Sequence, residues 1–113
     1  PSESSAQIRE RVMRAREVQQ QRFAAYNLTA KSPVHCNAQM PPKLVREYCV
    51  LDEKSDRLLA YSMNKLGLSA RAYDRILKEA RTIADLAGES NIASSHLLEA
   101  ISYRNLDRED WIG

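Results

Sequence analysis

The chain has 113 residues, 43% of them hydrophobic, with 17 Lys and Arg against 15 Asp and Glu and a formal net charge of +2. This length suits one domain of ordinary size, and so small a net charge does not by itself indicate a nucleic-acid or membrane partner. The three glycines, Gly67, Gly88 and Gly113, lie at least 21 residues apart, which excludes a P-loop or a dinucleotide-binding motif within the chain, because both need closely spaced glycines at a phosphate.

The cysteines and histidines are too few and too scattered for the common disulfide or metal motifs. They are Cys36, Cys49, His35 and His96. We therefore expect no metal site and, from the cysteine usage, a reducing compartment. No apolar run is long enough for a transmembrane helix and no signal peptide is visible, so we expect a cytoplasmic protein without a membrane partner.

The first predicted element is a helix over SSAQIRERVMRAREVQQQRF, with Ser4 or Ser5 as its N-cap. At 100° per residue its apolar stripe comprises Ile8, Val12, Ala15 and Phe23. Two pairs of arginines flank the stripe, one on each side: Arg9 with Arg16, and Arg11 with Arg22. Either their stems cover the edge of the core, as on an ordinary surface helix, or the four arginines dock the helix onto another domain.

Residues 26–42 hold three of the four prolines and predict a loop, which is either functional or a junction between docked modules. Pro41-Pro42 then starts a short helix around LVREYC, since proline is permitted in the first turn. The next helix begins after the N-cap Asp52 and ends at Gly67, which supplies a left-handed stop. Its predicted apolar face comprises Leu58, Leu59, Met63 and Leu66.

A fourth helix runs from the N-cap Ser69 to Gly88 and carries the broadest apolar face of the chain. Such a face is typical of the central helix of a bundle. A last helix, SSHLLEAISYR, packs Leu97, Leu98 and Ile101, and the segment after it is expected to fray. The chain is thus predicted to be all-α, a bundle of about five helices, with residues 1–30 forming the first helix and the start of the connecting loop and residues 31–113 forming the bundle and its frayed tail.

Arg71 lies in the first turn of the fourth helix, two residues after Ser69. A cation there faces the positive end of the helix dipole and costs about 0.3–1 kcal/mol, unless an anion binds between them. Arg75 and Lys78 lie on the same helix face and extend it into a basic ridge. Helix geometry leaves two interpretations open: a phosphate site built around Arg71, or an arginine paired with Asp74 or with a carboxylate of a neighbouring helix.

Other candidate groups point to packing rather than to chemistry. The tyrosines at positions 61, 73 and 103 have the spacing of core residues, and His96 is expected to be solvated or satisfied in the core. Ser69 has no histidine or lysine base at a recognisable spacing, so a capping role explains it better than a nucleophilic one.

The string LGLSARAYDRILKEARTIADLAGESNIASSHLLEAISYRNLDR resembles the C-terminal signature of the magnesium-chelatase-like AAA+ ATPases of bacteria, in the competence protein ComM group. The upstream ESSAQIRERVMRAREVQQQRF and CNAQM are similar to the segment that precedes it in that group. The resemblance implies the helical lid that follows a P-loop core, with Arg71 as the sensor-2 arginine that reaches nucleotide phosphates, in its own subunit or a neighbour. Walker motifs and the arginine finger would belong to the core.

The resemblance further implies a module without catalysis of its own in a hexameric ATPase that moves branched DNA during uptake and recombination. Its partners would be its own P-loop core, neighbouring subunits of the ring and DNA. ATP and Mg²⁺ would be cofactors of the full-length protein, and none is expected on this fragment alone. The alternative is an independent helical DNA-binding module that places Arg71, Arg75 and Lys78 on phosphates.

Overall fold

The computed structural model describes the backbone of residues 3–112 and the side chains of residues 3–103. Five α-helices and one short 3₁₀ turn follow one another in this part of the chain, and it contains no strand. The helices are α1 (Ser5–Asn27), α2 (Pro42–Tyr48), α3 (Glu53–Leu66), α4 (Ala70–Leu86) and α5 (Ser94–Ile112), and the 3₁₀ turn spans Asn37–Gln39 between α1 and α2. The prediction of an all-α bundle is confirmed.

Three helices begin at side-chain caps in the positions that the sequence predicts. Ser4 and Gln7 form a reciprocal capping box at α1, in which Ser4 Oγ accepts from the Gln7 backbone N–H and the Ser4 N–H donates to Gln7 Oε1. Asp52 accepts from Ser55 N at 2.7 Å, and Ser69 accepts from Ala72 N at 3.2 Å. Each cap satisfies a backbone donor that has no partner within its helix.

Two glycines end helices in the left-handed conformation. Gly67 follows α3 with φ 61°, and Gly88 follows α4 with φ 74°. The backbone N–H groups just beyond them, at Leu68 and Glu89, donate back to the Met63 and Ala84 carbonyls at 3.0 and 2.9 Å. Glycine suits both positions because a Cβ is strained at positive φ.

Helix α4 lies at the centre of the bundle and packs against α1, α2, α5 and the 3₁₀ turn. On α4, Ile76, Ala80 and Ala84 are fully buried, and the small alanines let neighbouring helices approach closely. The rings of Phe23 of α1 and Tyr48 of α2 form a T-shaped pair at a centroid distance of 6.0 Å. The buried apolar core comprises Ala15, Phe23, Val34, Met40, Leu44, Val45, Cys49, Leu59, Ile76, Leu77, Ala80, Ala84, Ile92, Leu97, Ala100 and Ile101.

Several side chains that the sequence assigns to the core are exposed. Ile8 of the α1 stripe is 43% exposed, and the other residues of the 3–10 segment are exposed as well, so the N-terminal end of α1 is not packed against the bundle. Leu98 is also exposed, and so are all three tyrosines, with Tyr61 at 62%, Tyr73 at 38% and Tyr103 at 54%. The packing role predicted for the tyrosines is therefore wrong, because each of the three lies on a different helix at a position that stays open to solvent.

The predicted loop is ordered by its own side chains. Asn27, the last residue of α1, accepts from Val34 N and donates to Val34 O, both at 2.8 Å, and so closes the chain on itself across seven residues. At the other end of the chain, α5 runs on to Ile112, beyond the predicted SSHLLEAISYR. The predicted fraying of the tail concerns residues whose side chains are not described, and it stays a prediction. No helix of the described residues is both long enough and apolar enough to cross a membrane.

Candidate functional site

Arg71 lies at the exposed N-terminal end of α4, in a first turn that has no acidic residue. Its guanidinium has no hydrogen bond or ion pair with any other described residue. The structural alternative of an Arg71–Asp74 pair is not formed, because the Asp74 carboxylate instead binds Lys78 Nζ at 2.8 Å. Arg71 is thus a cation at the positive end of a helix dipole that no described carboxylate pairs with, which is a favourable place for an anion, although Asp74 and Glu79 line the same hollow.

The basic ridge predicted on α4 consists of two different kinds of side chain. Arg75 is exposed and, like Arg71, has no ion pair within the described part of the chain. The side chain of Lys78 is only 18% exposed and its charge is offset by Asp74. The two cations with free donors are therefore Arg71 and Arg75, one helical turn apart, and Lys78 contributes mainly its aliphatic stem to the surface.

A hollow of about 440 Å³ lies beside these side chains, and we call it the Arg71 hollow. Its lining residues are Ala38, Arg71, Asp74, Arg75, Lys78 and Glu79. All of them belong to α4 except Ala38, which lies in the 3₁₀ turn and forms the other wall. A second hollow of about 410 Å³ shares Ala38, Lys78 and Glu79 and continues along α4 to Tyr103.

Nearer the C-terminal end of α4 lies a buried ionic cluster that the sequence analysis did not anticipate. Asp85 of α4 accepts two hydrogen bonds from the Arg22 guanidinium of α1, both at 2.7 Å, and pairs with Arg81 Nη2 at 3.2 Å. The side chains of Arg22, Arg81 and Asp85 are 10%, 5% and 0% exposed. Of the two interpretations of the arginines that flank the α1 stripe, docking onto another domain is corrected for Arg22, since its guanidinium is engaged inside the bundle.

Asn37 joins the 3₁₀ turn to this cluster. Its side chain is fully buried, accepts from Arg22 Nη1 at 2.9 Å and donates to Asp85 Oδ2 at 2.8 Å and Thr82 Oγ1 at 3.1 Å. Its backbone N–H donates to Gln19 Oε1 at 3.0 Å. Asn37 can play this part because an amide offers both a donor and an acceptor. The sequence contains only a weak indication of this cluster, namely polar residues such as Arg22 and Asp85 on helix faces that pack against the core.

Arg81 also fixes the turn between α4 and α5. Its Nη1 and Nη2 donate to the carbonyls of Ser90 and Glu89 at 3.0 and 2.8 Å. Burial lowers the pKa of Arg81 from its ordinary range, and the neighbouring Asp85 partly offsets this effect. The guanidinium nevertheless stays charged, because arginine begins from a very high pKa. Arg81 is therefore a structural cation that ties α4 to the turn that leads to α5.

The remaining arginines of α1 lie on the surface. Arg9 and Arg16 are exposed, and no ion pair joins them to other described residues. Arg11 pairs with Glu3 in the segment that precedes α1. Docking by Arg9, Arg11 and Arg16 stays a prediction, and Arg9 and Arg16 are the two with unused charge.

The other titratable candidates have structural partners. His96 is buried and its Nδ1 accepts from the Ala93 backbone N–H at 2.9 Å, as expected for a histidine satisfied in the core. Cys36 and Cys49 are both free thiols. Burial raises the pKa of the Cys49 thiol to about 11, which keeps it protonated and unreactive at neutral pH. Among the described residues, no group of three or more His, Cys, Asp and Glu side chains is arranged to hold a metal ion.

Residues 2–104 match the family described as magnesium chelatase, subunit ChlI C-terminal. The chain belongs to this family. It is 44% identical to competence protein ComM of Haemophilus influenzae over 106 residues, or 94% of this chain. It is 42% identical to the protein YifB of Escherichia coli over 108 residues, or 96% of this chain. A protein of Mycobacterium tuberculosis, Rv2897c, is 30% identical over 102 residues, or 90% of the chain. The resemblance drawn from the sequence strings is confirmed.

These relatives are much longer than the matched region. The chain spans 19% of the length of each of the three. The family description places the matched region at the C-terminal part of the magnesium chelatase subunit. The similarity therefore concerns one region of each of these longer proteins.

Proposed function

We propose that this domain is the C-terminal lid of an AAA+ ATPase and that Arg71 is its sensor-2 arginine. The observation that carries the proposal is the exposed Arg71 guanidinium, unpaired within the described residues, in the first turn of the central helix. Family membership supports it, since the matched region is a C-terminal domain of an otherwise longer protein. The P-loop, the Walker residues and the arginine finger would then lie in a core domain to which this lid is attached.

In this proposal, Arg71 meets the β- and γ-phosphates of ATP, and the positive end of the α4 dipole reinforces the contact. Charge accumulates on these oxygens as the terminal phosphoryl group is transferred, so a guanidinium placed there stabilises the transition state. Arg75 lies one turn further along the same face and is a second candidate for the phosphates. Mg²⁺ would neutralise the remaining phosphate charge from the core side.

The bundle is suited to move as one body between nucleotide states. The cluster of Arg22, Asn37, Arg81 and Asp85 links α1, the 3₁₀ turn, α4 and the turn between α4 and α5. A displacement of Arg71 by the phosphates would therefore be transmitted to α1 through packed elements rather than absorbed locally. Arg9 and Arg16 on the exposed side of α1 would then meet the core or a neighbouring subunit.

The larger assembly follows from the family resemblance and is proposed with it: a cytoplasmic hexameric ring that remodels branched DNA during recombination or DNA uptake. The relative named competence protein ComM is the source of this part of the proposal. The ring would use ATP and Mg²⁺ and would bring this lid between its own core and that of a neighbouring subunit. Whether Arg71 serves its own nucleotide or that of a neighbour is decided by mixing subunits with defects in Arg71 and in the P-loop.

The test is the ATPase rate of the longer protein with Arg71→Ala. We expect kcat to fall by about 100-fold or more, because the loss of one oriented donor to the transition state costs this much in other enzymes. Arg57→Ala on the exposed face of α3 is the matched control, since among the described residues Arg57 forms an ion pair with the exposed Glu53 alone. An unchanged rate for Arg71→Ala, in a protein with unchanged thermal stability, contradicts the assignment.

A second candidate function is an independent DNA-binding module. The observation that favours it is the pair of exposed arginines at 71 and 75, which are free to contact phosphates of a DNA backbone. Titration of the isolated domain with duplex and branched DNA at several salt concentrations separates the two functions. Tight binding with a steep salt dependence that Arg71→Ala and Arg75→Ala reduce supports this second function, and its absence contradicts it.

A further inference from the structure

Asp74 has a cation within reach on each side of it along α4. It lies three residues after Arg71 and four residues before Lys78, and all three side chains line the Arg71 hollow. Side chains three or four positions apart are neighbours on a helix surface, so the Asp74 carboxylate can pair with either cation. Its choice decides whether the Arg71 guanidinium carries a counter-charge from its own helix.

The Asp74 carboxylate binds Lys78. Its Oδ2 lies 2.8 Å from Lys78 Nζ, whereas no ion pair joins Asp74 to Arg71 in the described part of the chain. Side chains on a helix lean towards its N-terminus, so Lys78 leans back over Asp74 while Arg71 leans away from it. An acid four residues before a base is also the more favourable order for an ion pair within a helix.

The burial of Lys78 strengthens its pair with Asp74. The side chain of Lys78 is only 18% exposed, and that of Asp74 is 42% exposed. A largely buried ammonium group depends on a counter-charge because it has lost most of its water. Arg71 is exposed, so water solvates its charge without help from a carboxylate. Lys78 therefore holds the only carboxylate that lies three or four residues from Arg71.

We propose that Lys78 is a positioning residue for Arg71: by holding Asp74, it leaves the Arg71 guanidinium available to the nucleotide phosphates. The inference rests on the proposed function and adds to it a residue that acts without touching the phosphates. When the Lys78 charge is removed, Asp74 is released and pairs with Arg71. The resulting pair occupies the guanidinium and places a carboxylate where the phosphates bind in the proposed function.

The experiment measures kcat for ATP hydrolysis by the longer ATPase with Lys78→Met, which keeps an unbranched apolar side chain and removes the charge. We expect kcat to fall by about two- to fivefold, because an ion pair between partly exposed side chains of one helix is weak and occupies Arg71 for only part of the time. Lys43→Met, at an exposed position of α2 that does not line the Arg71 hollow, is the control for the loss of one lysine charge. Thermal melts establish that each variant is folded, and Lys78→Gln repeats the measurement with a polar replacement.

A second substitution, Asp74→Asn, distinguishes positioning from a direct role of the Lys78 charge. In the Lys78→Met protein it should restore the rate, and this gain should be larger than its effect on the otherwise unaltered protein. If Lys78 itself bound the phosphates, the double variant would stay defective. If Lys78 acted only through the electrostatic field of the surface, the two substitutions would have additive effects on the free energy of activation. Either of these two results overturns the inference.

Arg71→Ala separates this inference from the proposed function. In the Arg71→Ala protein, Lys78→Met should cause no further loss, since no guanidinium is left for Asp74 to occupy. If the Lys78→Met protein is folded and keeps its full rate while Arg71→Ala is defective, the positioning role is refuted and the proposed function stands. If Arg71→Ala itself is fully active, the proposed function fails and the positioning role fails with it.

Discussion

Replacement of Asp85 by asparagine tests the buried ionic cluster directly. The carboxylate is fully buried and accepts from Arg22 twice, from Asn37 once and from Arg81 at the longest distance of the four, 3.2 Å. Asparagine keeps the shape but removes the charge and turns one acceptor into a donor that faces other donors. Two guanidinium groups, both at least nine-tenths buried, then lose their counter-charge.

The expected cost follows from this geometry. Removing one partner from a buried ion pair typically lowers the free energy of unfolding by about 3–5 kcal/mol, because the remaining charge stays buried without compensation. A domain of this size has about 5–15 kcal/mol in total, so Asp85→Asn should remove a large part of the stability. At about 4 °C per kcal/mol, the melting temperature should fall by about 12–20 °C.

Urea unfolding followed by circular dichroism measures the loss. Glu53→Gln is the matched control, because it also removes one carboxylate from an arginine, but at an exposed pair whose side chains are 84% and 73% accessible. Exposed pairs of this kind contribute about 0–1 kcal/mol, so the control should differ little from the wild type. A cost below about 1 kcal/mol for Asp85→Asn would refute the reasoning, since it would mean that water already solvates the cluster.

Two further predictions follow from single residues. Burial raises the pKa of Cys49 from 9.0 to about 11, so the stability gained from the neutral thiol is complete below pH 9 and is lost as the pH rises to 11. Urea unfolding measured at several pH values across this range should show a steeper loss of stability for the wild type than for Cys49→Ala. Parallel curves for the two proteins would contradict this prediction. Gly67→Ala should lower the free energy of unfolding by about 1–2 kcal/mol through backbone strain alone, because φ is 61° and an added Cβ meets nothing within 4 Å; a thermal melt showing no loss would count against it.

The helices and their ends were predictable because their causes are local. Ser4, Asp52 and Ser69 bind backbone donors three residues away, and Gly67 supplies a φ that other residues avoid. Such contacts depend on a few neighbouring residues and not on the fold. For the same reason the sequence placed Arg71 in the first turn of α4, and the resemblance to the family suggested its proposed role.

The sequence could not rank the arginines by what they bind. Arg22 and Arg9 both looked like flanking charges of α1, yet Arg22 is engaged by Asp85, 63 positions further along the chain. Helical periodicity describes one element at a time, so it cannot tell which polar side chain will meet a partner from another element. It assigned the three tyrosines to the core for the same reason, although no neighbouring helix covers them.

By itself, then, the sequence determined the five helices, their caps and stops, the family and the exposed cation at the start of α4. The tertiary structure alone decided that Lys78 is neutralised by Asp74, that Asn37 is buried among charges, and that Ala38 lines the same hollow as Arg71. The physical reason is the range of the interactions. Hydrogen bonds within one helical turn join residues that are close in the sequence, so the sequence predicts them. A buried ionic cluster and the walls of a hollow exist only after α1, α4 and the loop between α1 and α2 have packed together.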